Sequence, residues 1–136
     1  MTRGARRAEK ETRAVSAEEK ACWAHAALLG RRAADPVVLD MRELTVITDY
    51  FLICHGTSGV HIRGLAEAVR EALAEKGLRA QGIEGYQQAR WVLLDYGDVI
   101  VHIFADEERS FYDLERLWSD APRVSLGGVA GECEDV

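Results

Sequence analysis

Residues Trp91–Phe104 read WVLLDYGDVIVHIF. Two runs rich in β-branched and aromatic residues flank Asp95-Tyr96-Gly97-Asp98, which predicts two strands joined by a tight turn. With Tyr96-Gly97 as the two-residue connection, Asp95 faces Asp98, Leu93 faces Ile100 and Trp91 faces His102. Opposed residues share a face, and Phe104 joins theirs. The other face carries Val92, Leu94, Val99, Val101 and Ile103 and belongs against a core. The Trp91 face mixes aromatic and aliphatic groups with two aspartates and a histidine. That mixture suits a surface that meets a partner rather than water alone. The candidate partner-contact residues are Trp91, Leu93, Asp95, Tyr96, Asp98, Ile100 and His102.

Outward from this hairpin, helix and strand signals alternate. Ser16-Ala17-Glu18-Glu19 fits a capping box and opens a helix expected to run to about Ala34, ended by Pro36. Val37–Met41 reads as a short buried strand, and Thr48–Cys54 as a second. Gly56-Thr57-Ser58-Gly59 turns the chain into a long helix over about residues 60–76, with Thr57 or Ser58 as cap and Gly77 as stop. Ile62, Leu65, Ala66, Val69 and Leu73 keep helical spacing on it. Leu78–Ile83 can form a third strand, and Glu84–Arg90 a polar loop. Past the hairpin, Ser110–Trp118 is expected to be one helix, with Phe111, Leu114 and Trp118 in a single apolar stripe. The fold class is therefore α/β (α+β): a mixed β-sheet flanked by helices.

The chain has 136 residues, about 48% of them hydrophobic, enough for one domain with a sizeable core. A net charge of −6 disfavours nonspecific binding to bare nucleic acid and favours a basic protein partner. Residues 1–15 form a basic segment and residues 125–136 an acidic one. Neither shows the apolar periodicity of packed structure, so both are expected to be disordered tails around a domain at 16–124. Three cysteines without paired spacing predict free thiols and a reducing, cytoplasmic setting. No run approaches the roughly 18 apolar residues of a membrane span, and no apolar segment follows the basic start as in a signal peptide.

Candidate chemistry is sparse. Asp95 and Asp98 pair two carboxylates but lack a third acidic ligand at compatible spacing, so they read as turn-flanking aspartates. Cys22-x-x-His25 and Cys54-His55 have no second pair to complete a zinc site. Cys22 and His25 read as helix residues, Cys54 as a buried strand residue and His55 as a turn residue. Nothing local ties Cys54 to His61 or His102 as a nucleophile and base. The Gly56–Gly59 turn lacks the lysine and glycine spacing of a phosphate-binding loop. Asp106-Glu107-Glu108 reads as a solvated acidic loop.

Four blocks in order resemble the ribosomal silencing factor family, also called Iojap-like: ITDYFLICHGTS (Ile47–Ser58), GIEG (Gly82–Gly85), WVLLDYGDVIVHIF (Trp91–Phe104) and RSFYDLERLW (Arg109–Trp118). The resemblance covers about residues 16 to 124. It implies a nucleotidyltransferase-like fold without catalysis or cofactor. It further implies binding to the large ribosomal subunit through its basic inter-subunit-face protein, large-subunit protein fourteen. The bound factor blocks joining of the small subunit and represses translation, notably under nutrient limitation. Alternatives are a large-subunit assembly factor or a nucleotide-binding enzyme on the same fold. For the enzyme, the strand after the long helix supplies no Asp-x-Asp or Asp-x-Glu to hold magnesium. A homodimer is expected off the ribosome, with no membrane and no direct sequence-specific nucleic-acid binding. The family often has an arginine where this chain has Val60, and Arg63 stands one helical turn on.

Overall fold

The computed structural model describes residues 15–126; residues 1–14 and 127–136, with most of both expected tails, lie outside them. Helix α1 (Ala17–Gly30) leads into β1 (Ala34–Asp40), and a loop leads to β2 (Tyr50–Gly56). Helix α2 (Gly59–Ala74) crosses over to the short β3 (Gly82–Glu84). The hairpin β4 (Trp91–Asp95) and β5 (Val99–Ala105) follows, then the short helices α3 (Asp106–Tyr112) and α4 (Leu114–Leu117). The strands form one five-stranded sheet in the order β1-β2-β5-β4-β3. Only β2 and β5 pair in parallel; the other three pairs are antiparallel. The expected mixed sheet with flanking helices is the architecture found.

Local chemistry sets the helix ends. Ser16 Oγ accepts the Glu19 N–H at 3.1 Å while Glu19 returns a carboxylate to the Ser16 N–H at 2.9 Å. These two bonds satisfy donors that the first helical turn leaves unpaired. Replacing Ser16 with alanine is expected to cost about 1 kcal/mol, readable by urea denaturation. Ser58 caps α2 by accepting the His61 N–H at 3.0 Å. Gly77, at φ +80°, reverses the chain after α2 so that Leu78 N–H bonds Leu73 O. That capping takes Leu78 away from the sheet, and β3 begins only at Gly82, opposite Asp95. The expected strand over Leu78–Ile83 is corrected accordingly.

Helices α1 and α2 cover one face of the sheet. Ala24, Leu28, Ile62, Leu65, Val69 and Leu73 meet Leu52, Val92, Leu94, Val99, Val101 and Ile103, all of them buried. Each fully buried aliphatic side chain contributes about 1.5–3 kcal/mol. The all-aliphatic hairpin face is thus the core face. Val15 and Leu126 also pack on this core.

A second, smaller core lies on the opposite face. Leu39, Met41, Ile53, Phe104 and Ala121 are buried there, with Phe51, Trp91, Leu114 and Trp118 against them. The chain after α4 runs along edge strand β1, where Asp40 N–H bonds Pro122 O and Val124 N–H bonds Val38 O. This covers an edge that would otherwise present unpaired backbone groups.

The hairpin register differs from the expected one. Asp95 pairs with Ile100, Leu93 with His102 and Trp91 with Phe104. The turn falls on Gly97-Asp98: Gly97 takes φ +86°, and the Tyr96 N–H bonds Val99 O at 2.9 Å. Asp95 Oδ1 accepts the Gly97 N–H at 2.8 Å and holds the bend. Partners move by two residues, so the side chains of both strands keep their expected faces, whereas Asp98 passes into the turn. The expected helix Ser110–Trp118 is broken at Asp113, which adopts φ 48°, ψ 55°. The single apolar stripe is lost with it. Leu114 and Trp118 reach the second core, whereas Phe111 points outward. The acidic run Asp106–Glu108, expected as a loop, is the first turn of α3, where carboxylates complement the helix N-terminus.

Candidate partner-binding face

The sheet register arranges the second face in rows. Glu84, Leu93, His102, Ile53 and Val37 form one row across the strands; Asp95, Ile100, Phe51 and Leu39 form the next. The segment from Leu114 to Ala121 covers the β1–β2 side of this face. Towards β4 and β3 the cover runs out, and Trp91, Leu93, Asp95 and Ile100 stay partly exposed.

Trp91 is the hub of an aromatic cluster. Its ring centroid lies 4.9 Å from Phe104 and 4.6 Å from Tyr112. Phe111 stands edge-on to Tyr112 at 5.0 Å. Phe104 is fully buried, but Phe111 is 79% exposed, Leu117 69% and Tyr112 46%. The cluster thus runs from the small core outward to a solvent-facing rim. On the same helix as Phe111, Asp106 and Glu107 are strongly exposed. Arg90 bridges Glu107 and Glu108. An apolar patch beside acidic groups fits a basic protein surface.

The structure divides the seven candidate residues. Trp91, Leu93, Asp95 and Ile100 share the partly open face. Tyr96 and His102 are 3% and 4% exposed and present no contact surface. Tyr96 belongs to the larger core, because the true register places it at the end of the core-facing row. Asp98 sits in the turn and pairs with Lys20 of α1 at 2.6 Å, on the helix side of the sheet. Its charge is therefore engaged within the fold. Phe111, Tyr112 and Leu117 were missed, because helical spacing alone assigns Phe111 to the buried stripe. The adjacent aromatics of Phe111-Tyr112 followed by Asp113 were the available signal, since Asp tolerates the left-handed conformation that breaks a helix.

Arg109 fixes the helices that carry this rim. Its guanidinium donates to both Glu115 carboxylate oxygens at 3.1 and 3.0 Å, to Ala34 O at 3.1 Å and to His55 Nδ1 at 2.9 Å. One buried side chain thus ties α3 to α4, β1 and β2. His55 is a strand residue, not the expected turn residue, with Asp106 3.7 Å from its Nε2.

The other candidate chemistry resolves as structure. Burial pushes the Cys54 thiol up to about 12, so it stays protonated and unreactive at neutral pH. Cys54 is a free thiol, as expected. Cys22 and His25 are both buried on α1, and burial holds the imidazole below its ordinary range. Among the described residues, no three or more His, Cys, Asp or Glu side chains gather into a metal site. No helix among them is long and apolar enough to cross a membrane. Val60 is exposed, and Arg63 donates to Gln87 O at 3.0 Å, bracing the loop before β4.

Residues 14–135 match the family model described as "Ribosomal silencing factor during starvation". The chain belongs to the ribosomal silencing factor family. The ribosomal silencing factor RsfS of Bacillus subtilis is 46% identical over 103 residues, covering 76% of this chain and 87% of that protein. The chloroplastic Iojap protein of Zea mays is 34% identical over 95 residues, covering 70% of this chain and 41% of that longer protein. A crystal structure of a Chromobacterium violaceum protein superposes with a TM-score of 0.76 at 33% identity, covering 77% of this chain and 88% of that one. The family read from four sequence blocks is thereby established, together with its mixed-sheet fold.

Proposed function

We propose that this chain represses translation without catalysis, by docking its second sheet face on the large ribosomal subunit and blocking the small subunit from joining. The contact is a basic protein on the inter-subunit face, large-subunit protein fourteen, and the setting is nutrient limitation. Membership in the silencing-factor family supports association with the ribosome and a role in translation control. The observation that carries the surface assignment is the Trp91–Tyr112–Phe111 cluster, which continues from a buried core into exposed aromatic groups beside exposed carboxylates. Rigid aromatic anchors provide most of the energy at such contacts, and the surrounding charge speeds encounter. The same apolar rim supports self-association of the free protein about a two-fold axis.

Sucrose-gradient co-sedimentation with separated and re-associating subunits tests this reading. The protein is expected with free large subunits, and joined ribosomes are expected to decline as it is added. Trp91→Ala is expected to weaken large-subunit binding by about 2 kcal/mol, roughly 30-fold, with the fold retained. Asp95→Lys is expected to weaken it less, mainly through slower association. Full affinity in both variants would mean that another surface docks.

A further inference from the structure

Resting on that docking face, we propose that His102 is a positioning residue for Trp91: its buried imidazole accepts the indole N–H and holds the ring in its docking orientation.

The register makes the contact possible. Trp91 stands opposite Phe104, and Leu93 opposite His102, so Trp91 and His102 are diagonal neighbours on one face. An aromatic side chain spans that diagonal. Trp91 Nε1 donates to His102 Nδ1 at 3.1 Å. Phe51 meets the imidazole edge-on at 4.7 Å, and Phe104 stacks beside it at 6.2 Å, so the acceptor itself is clamped. Burial lowers the His102 pKa to about 4, and the imidazole is neutral at physiological pH. With Nδ1 accepting, Nε2 carries the proton.

That Nε2–H is buried and has no hydrogen-bond partner. A donor left unpaired in the interior lowers stability, and a leucine of similar size there would avoid the loss. For holding the sheet together, histidine is therefore the poorer choice. Its distinct contribution is an acceptor aimed at Trp91. Without it, the half-buried indole would keep its apolar neighbours but lose the single bond that fixes its orientation. Preorganising an anchor lowers the entropy lost on docking.

The test uses the full-length chain with His102→Leu and His102→Gln, the second retaining an acceptor. The indole N–H signals of the three tryptophans are followed by NMR, Trp91→Phe identifying the Trp91 signal, and binding to purified large subunits is titrated. In His102→Leu the Trp91 N–H is expected to exchange with solvent at least tenfold faster. The Trp23 and Trp118 signals should stay in place, and the thermal midpoint should not fall. Large-subunit affinity should drop about tenfold, and His102→Gln should restore both readouts. An unchanged Trp91 signal in His102→Leu overturns the proposal. So does a lowered thermal midpoint with all three indole signals shifting together, since that marks a structural role alone. Normal subunit binding by His102→Leu, where Trp91→Ala binds weakly, overturns the link to docking. If Trp91→Ala also binds normally, the docking face itself is misassigned and the inference falls with it, whatever the indole signals show.

Discussion

Arg109→Ala is expected to lower the unfolding free energy by about 3–5 kcal/mol, the usual cost of removing one partner from a buried ion pair. The pair qualifies as buried: the Arg109 and Glu115 side chains are 10% and 20% exposed. Deleting the guanidinium leaves Glu115 with Arg123 at 3.8 Å as its remaining ion-pair partner. It also strips a donor from Ala34 O and from His55. The thermal midpoint should fall by roughly 10 °C or more. Arg109→Lys should recover only part of the loss, because an ammonium cannot reproduce the two-pronged bond to the carboxylate. Replacing Arg109 and Glu115 together by methionine should cost far less than either alanine change alone. Urea denaturation of the wild type, Arg109→Ala, Glu115→Ala, Arg109→Lys and the double-methionine variant decides the matter. A loss under about 1 kcal/mol for Arg109→Ala would show that the pair behaves as a solvent-screened surface bridge. Because α3 carries Phe111 and Tyr112, the same variant should also bind large subunits weakly.

Acid is expected to remove about 3 kcal/mol of stability through His102 alone. Burial takes its pKa from 6.5 in the unfolded chain to about 4 in the fold. Between those values the unfolded state binds a proton that the folded state refuses. The stabilisation is therefore fully present above about pH 6.5, declines as the pH falls through the window, and levels off below about pH 4. His25, lowered by burial in the same direction, adds to the slope. Asp40 acts in a lower window. Its carboxyl is held below 3.8 first by its hydrogen bond from Arg42, so its stabilisation is lost only in stronger acid. Denaturation of the wild type and His102→Leu from pH 7 to 4 separates these contributions. The wild-type curve should fall progressively below that of His102→Leu as the pH drops. Parallel curves would show that His102 does not titrate out of the core.

Much of the candidate face was legible in the hairpin. Alternation along Trp91–Asp95 and Val99–Ala105 assigned every side chain to its correct face, although the partners were displaced by two residues. The period of a strand is two, so this error leaves the faces intact. The error arose at Gly97. A glycine marks a positive φ within the turn but does not say whether it is the first or second turn residue. Helix ends governed by local bonds were also legible: Ser16 with Glu19, Ser58 with His61, and Gly77. The break at Asp113 was not, since helical spacing continues through it from Phe111 to Trp118. Arg109, reaching Ala34, His55 and Glu115 at once, holds α3 and α4 in that broken arrangement.

By itself, the sequence determined the family, the mixed sheet, the core-facing side of the hairpin and the place of Trp91 on the opposite side. These rest on periodicity, capping and turn chemistry, which act over a few residues, and on blocks specific to one family. The tertiary structure decided which residues of that opposite side remain open. Long-range packing buried His102 beneath Trp91 and Tyr96 in the main core, drew Asp98 to Lys20 and turned Phe111 to solvent. Exposure depends on what the distant segment Leu114–Ala121 covers, and no local pattern encodes that.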